Sequence, residues 1–182
     1  RREMYDIMGT ELVVLRLKEQ LYQNESITNQ ESNTDQQNVV PDEVIIPDDC
    51  RDATNKVMKP TFTLPNGAVM NSRKQIVKAA SVIDLTTNVQ VAMLMAVVME
   101  VKAIRPGVKC IDFIRALIGI GVLKYSNEKA IKNMADGMNR KLHGSQKKDK
   151  KVPSLPPNHL LWTGTDRNIG DAIYKAMTTE EL

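Results

Sequence analysis

Between Gln23 and Asn38 the chain offers a single apolar side chain, Ile27, whereas Val91 to Val98 is apolar at every position. These two stretches mark the extremes of a chain whose hydrophobic pattern changes character several times. Ahead of the polar stretch, residues 4–22 place Ile7, Val14 and Leu21, and again Met8, Leu15 and Tyr22, at seven-residue spacing. That spacing predicts a helix with one broad apolar face. Gly9 weakens its first turns by about 1 kcal/mol relative to alanine, so the firm part is expected from Thr10. A lone helix of this length is marginal in water and its apolar face must dock somewhere. Ile7, Val14, Leu15 and Leu21 are therefore the candidate subunit-interface residues. Residues 23–38 have the composition of a disordered linker, unable to repay its ordering entropy by burial.

Residues 41–70 read as extended and proline-punctuated. Strand-like pieces fall at 44–46 and 61–64, and Pro65-Asn66-Gly67 is a strong turn tripeptide, which predicts one small β-hairpin closing at Asn66-Gly67. Helical periodicity takes over at Ser72. Ser72-Arg73-Lys74-Gln75 reads as a capping box ahead of Ile76, Ala79, Ala80 and Ile83. A second box, Thr87 to Gln90, opens a helix that is apolar nearly all round and stops at Arg105-Pro106-Gly107; such a helix belongs at the centre of a bundle. A helix over 108–120 follows, ended by Gly119 and Gly121. Ser126 is the expected cap of an amphipathic helix with Ile131, Met134, Ala135, Met138 and Leu142 inward, Lys129, Lys132, Asp136 and Arg140 outward, and Gly144 as its stop. Residues 155–162 read as extended, and 166–179 as a last helix with Ile169, Ala172, Ile173 and Met177 on one side. The fold class expected is mainly α: a helical bundle body over 72–182, preceded by an N-terminal helix and extended arm over 1–71.

Charge sharpens this division. The net charge is only +3, but residues 1–60 carry 7 basic and 12 acidic groups while residues 61–182 carry 18 and 10. An acidic arm joined to a basic body favours self-association or an anionic partner. The densest run, residues 140–151, sets Arg140, Lys141, Lys147, Lys148, Lys150 and Lys151 against Asp149. It contains no aromatic ring, so base stacking cannot come from within it and only sequence-blind phosphate contact is open to it. Together with Lys129 and Lys132 these residues are the candidate nucleic-acid contacts; otherwise the run is a solvated connector. A helix-turn-helix over 113–142 is disfavoured, because the connection GIGVLKYS is long for that motif.

Catalytic chemistry has little to work with. The two histidines, His143 and His159, sit in predicted loops beside glycine or proline and read as surface side chains without the i, i+4 spacing of a zinc pair. Asp42, Glu43, Asp48, Asp49 and Asp52 lack the alternation of a calcium loop, and Asp48 or Asp49 is better placed as a helix cap. GTDRNIG, 164–170, lacks the Lys-Ser/Thr of a phosphate loop, and Thr165 or Asp166 capping the last helix accounts for it. Cys50 and Cys110 are too few and too distant for a disulfide framework and read as reduced and structural. The methionines read as adaptable core filling. No catalytic residue, metal site or cofactor is expected.

The run Val89 to Met99 is too short to span a bilayer, and no leader or lipidation box is found, so no membrane role and an intracellular, cytoplasmic or virion location are expected. The start at Arg1 suggests a processed product or fragment. The sequence therefore predicts a non-enzymatic structural protein that self-associates into a homo-oligomer or larger assembly through its N-terminal helix and arm, in the manner of a capsid or nucleocapsid component. The alternative is a nucleic-acid-binding regulator using residues 126–151.

Overall fold

The computed structural model describes residues 46–145 and 153–179. The chain divides into two compact units, 1–43 and 44–182, and all described residues belong to the second. Its elements are α1 (Asp48–Val57), β1 (Thr61–Thr63), β2 (Val69–Asn71), α2 (Ser72–Ser81), α3 (Asn88–Glu100), α4 (Cys110–Gly119), α5 (Glu128–His143), a 3-10 turn (His159–Leu161) and α6 (Gly164–Thr178). The unit is mainly helical with one small antiparallel hairpin, as the sequence predicts.

The hairpin pairs Phe62 with Met70 across a two-stranded ladder. Its turn is set locally: Asn66 Oδ1 accepts the Ala68 N–H at 3.1 Å and Gly67 takes φ +87°, a conformation that favours glycine. Phe62 and Met70 point inward and their neighbours outward, so one face of the hairpin lids the core. No strand forms at Ile46, and the other residues of that expected strand lie outside those described.

At the centre lies α3, whose residues Val91–Val98 are all buried. A helix with no polar face has to be enclosed, and α5 and α6 pack on it, with α2 at its edge. Its start is the capping box expected: Thr87 Oγ1 accepts the Gln90 N–H at 3.3 Å and Gln90 Oε1 accepts the Thr87 N–H at 3.0 Å. Its end is a Schellman turn, with Ala103 N–H donating to the Val98 carbonyl and Lys102 N–H to that of Met99. Lys102 holds the left-handed position of that turn at φ 62°, where glycine is usual.

Several local readings need correction. The body begins well ahead of Ser72, because α1 packs along α4 and buries Cys50, Ala53 and Val57. The i, i+3, i+7 spacing of these three residues carries the helix, but two of them are small and the rest of the helix is polar. Neither Asp48 nor Asp49 caps it: Pro47 holds the N-cap, and the two carboxylates lie in the first turn, where the helix dipole favours them. Asn71, not Ser72, caps α2, its Oδ1 accepting the Lys74 N–H at 2.9 Å. Ser72 and Gln75 are instead buried, with the Ser72 hydroxyl and Gln75 Oε1 lacking a protein partner. Asn127, not Ser126, caps α5, and α6 starts at Gly164 behind Thr163, with no side-chain cap.

Close helix approach depends on Gly119, where a Cβ would sit 2.3 Å from the Cys50 carbonyl oxygen. That fit brings α1 onto α4. Leu94, fully buried midway along α3, gives the test of the enclosed-helix reading. Leu94→Ala should lower unfolding free energy by about 2–5 kcal/mol in urea titration, and a loss below about half a kcal/mol would contradict complete enclosure.

Candidate functional site

Three helices fail to close against one another at one end of the body. Between the last turns of α3, the first turn of α4 and the C-terminal half of α5 lies an open groove of about 1040 Å³. Its lining is largely apolar, with Met95 and Met99 from α3, Val108 from the turn ahead of α4, Ile111 from its first turn, and Ala135 and Leu142 from α5. Met99 is 48 % exposed, although the seven α3 residues from Val91 to Val97 are buried. The methionines thus divide: Met93 and Met95 fill the core as expected, while Met99 offers its thioether to the groove.

The fourth wall is the extended segment 154–157, and three contacts hold it. Leu155 N–H donates to the Lys141 carbonyl at 2.9 Å. The Trp162 indole N–H donates to the Pro156 carbonyl at 2.7 Å. The third is a clasp at the foot of the segment, where His159 Nδ1 lies 2.9 Å from both Glu100 carboxylate oxygens and its backbone N–H donates to Oε2 at 3.1 Å. A carboxylate only accepts, so Nδ1 carries the proton toward Glu100. Glu100 therefore serves twice, as the last residue of α3 and as a lining residue of the groove.

His159 corrects the surface reading: it is 3 % exposed. Its ring stacks on Tyr174 at 4.4 Å between centroids and stands edge-on to Trp162 at 6.4 Å. Nε2 faces Asp171 Oδ1 at 3.5 Å, and Arg167 Nε holds both Asp171 oxygens at 2.8 Å. Arg167 also donates to the Leu160 carbonyl. Gly170 makes this packing possible, because a Cβ there would lie 2.6 Å from the Trp162 ring. With a carboxylate at each ring nitrogen, the imidazole fastens the 154–162 segment to α3 and α6. The only local sign of this role is the apolar Leu160-Leu161-Trp162 that follows; the partner Glu100 is 59 positions away.

Cys110 lies at the base of the groove and its thiol donates to Asn139 Oδ1 at 3.1 Å. Burial pushes its pKa up, and burial followed by the nearby Asp49 does the same for Cys50. Both stay protonated at neutral pH, which suits a structural thiol rather than a nucleophile. No three His, Cys, Asp or Glu side chains converge as a metal site among the described residues. A second hollow of about 400 Å³ lies between α1, the 105–108 turn and α4. Beside it Arg115 spans three helices, with Nε 3.3 Å from Asp49 and Nη2 2.9 Å from Glu128. The Glu128 hydrogen bond pushes the guanidinium pKa still higher.

The predicted nucleic-acid residues divide as well. Lys129, Lys132 and Arg140 are exposed on one face of α5 and make no ion pair among the described residues. Lys141 is withdrawn from that set, because its ammonium lies 2.5 Å from Asp166 Oδ2 and joins α5 to the first turn of α6. Lys147, Lys148, Lys150 and Lys151 lie outside the described residues, as do Ile7, Val14, Leu15 and Leu21. No described helix is long and apolar enough to cross a membrane. Comparison with protein-family models, with curated proteins and with solved structures finds no match.

Removing the clasp should release the 154–157 wall. His159→Ala is expected to cost about 2 kcal/mol, the scale of a hydrogen bond to a charged group, and to shift the emission of Trp162, the only tryptophan, to longer wavelength. Unchanged emission and an unchanged urea midpoint would show that the wall is held without the imidazole.

Proposed function

We propose that this is a non-enzymatic assembly protein that self-associates through its N-terminal segment and arm, its body supplying a receptor surface. The observation that carries this reading is the groove: a large, mostly apolar concavity with one wall, residues 154–157, fixed by hydrogen bonds. Pre-formed walls reduce the ordering cost of association, which favours binding over a surface that must first be shaped. The amphipathic pattern of residues 4–22 supports the same reading from the other side, since its apolar face requires cover. Protonated buried thiols and a histidine enclosed by carboxylates suit an architectural role.

The expected outcome is a solution mass that is a multiple of the single-chain mass. Val14→Asp with Leu21→Asp should return it to the single chain while leaving the helical circular-dichroism signal of the body unchanged. A single-chain mass for the unsubstituted protein at micromolar concentration would remove the reading.

A second reading is favoured by the exposed row of Lys129, Lys132 and Arg140: a regulator that contacts nucleic acid through α5 and the connector after it. Phosphate contact alone would make affinity fall steeply with salt, with log K dropping by about 0.7 per contact for each decade on a single strand and no base preference. Titration of a random single strand decides this; absence of binding at low salt would remove it.

A further inference from the structure

We infer that the groove binds a free long-chain carboxylate, an unbranched aliphatic chain with a single anionic head, one molecule to each protein chain. The inference goes beyond the self-association reading and does not rest on it. The groove walls indicate the body of this ligand. At about 1040 Å³ the groove stands at the upper end of the size range of small-molecule sites. Its wall at 154–157 offers few free main-chain groups: the Leu155 N–H donates to the Lys141 carbonyl, the Pro156 carbonyl accepts from Trp162, and Pro156 and Pro157 have no N–H. An extended peptide needs a ladder of such groups and gains little here, whereas a hydrocarbon chain asks for none. From α3, Met95 and Met99 bring unbranched, polarizable thioethers, which adapt to a flexible chain.

Charge identifies the head. Two ammonium groups line the groove, Lys109 just ahead of α4 and Lys132 on α5. Both residues are exposed, and neither makes an ion pair among the described residues. The carboxylates of the lining do not answer both. Glu100 turns its two oxygens to His159 Nδ1, and Asp136 stands one turn after Lys132, so Lys109 is left without a counter-ion among the described residues. The first turn of α4 adds to its charge. Lys109 holds the N-cap position there without a side-chain bond to the N–H groups, and that end of a helix carries a partial positive charge. Asp112, the acidic residue of the turn, lines the other hollow and not this one. The Cys110 thiol, bonded to Asn139, seats the same turn against the groove-lining face of α5. A carboxylate at Lys109 with its chain along Met99 and Leu155 therefore uses both parts of the lining, a charge-assisted bond at one end and apolar burial along the rest. A cationic or uncharged head would leave Lys109 unmatched.

Titration of the full chain with dodecanoate, 1-dodecanol and dodecyltrimethylammonium, each below its micellar concentration, tests this. Calorimetry reads the stoichiometry, and Trp162 is a built-in reporter, because its indole bonds to the lining residue Pro156. One dodecanoate per chain is expected, bound about tenfold or more tightly than dodecanol and more tightly still than the cationic amphiphile. Lys109→Gln with Lys132→Gln should bring dodecanoate down to the level of dodecanol and leave dodecanol unchanged, a selective loss that a folding defect would not produce. Met99→Asp, at a half-exposed position, should weaken both dodecanoate and dodecanol, while Val69→Asp, exposed on the hairpin away from the groove, should change neither.

Equal binding of dodecanol and dodecanoate would overturn the inference, since no head would be recognised. Preference for the cationic amphiphile would overturn it too, by assigning the charge of the site to Glu100 and Asp136. So would uptake of many molecules per chain with loss of the helical circular-dichroism signal. A protein that self-associates and takes up no dodecanoate overturns the inference and leaves the self-association reading standing. A single-chain mass with one dodecanoate bound does the reverse.

Discussion

Enclosure of α3 is the constraint on which the rest of the body depends. Val91–Val98 is apolar around the whole helix circumference, so exposing any one face would leave a strip of aliphatic surface in water at about 25 cal/mol per Å². α5 and α6 pack on it from separate sides, and their own amphipathic patterns require such a partner. α2 reaches the same centre from its edge and is tied to the end of α6 by Lys78 Nζ, which donates to the Thr179 carbonyl at 3.3 Å. The hairpin buries only its inner face.

The end of α3 shapes the groove beside it. The Schellman turn at Lys102 ends α3 at Glu100, with Val101 as its C-cap, and the groove is lined by Met95, Met99 and Glu100 from that end. Glu100, as the last helical residue, is placed both to line that space and to hold His159. The groove and the His159 clasp thus meet at one helix terminus.

The polar groups of the body are used for fastening. Arg115 joins α1, α4 and α5, Lys141 joins α5 to α6, and His159 joins the 154–162 segment to α3 and α6. Each link crosses between elements that apolar packing alone would leave free to slide, because dispersion contacts are non-directional.

Much of the fold was legible because it depends on short-range rules. The Thr87–Gln90 box, the Asn66-Gly67 turn, the Gly144 stop and the inward faces of α5 and α6 all follow from contacts within about four residues. The sequence by itself also determined that α3 is central, since no other site accommodates a helix without a polar face. It could not reveal that α1 belongs to the body, because the small side chains Cys50 and Ala53 bury little area until Gly119 lets α4 approach. Nor could it show that His159 is buried, that Lys141 is spoken for by Asp166, or that Met99 stands open while Met95 does not. Those outcomes depend on partners 25 to 59 positions away, or on where one helix stops relative to its neighbours. Charge and periodicity carry no information about such distances, and only the packed tertiary structure decides them.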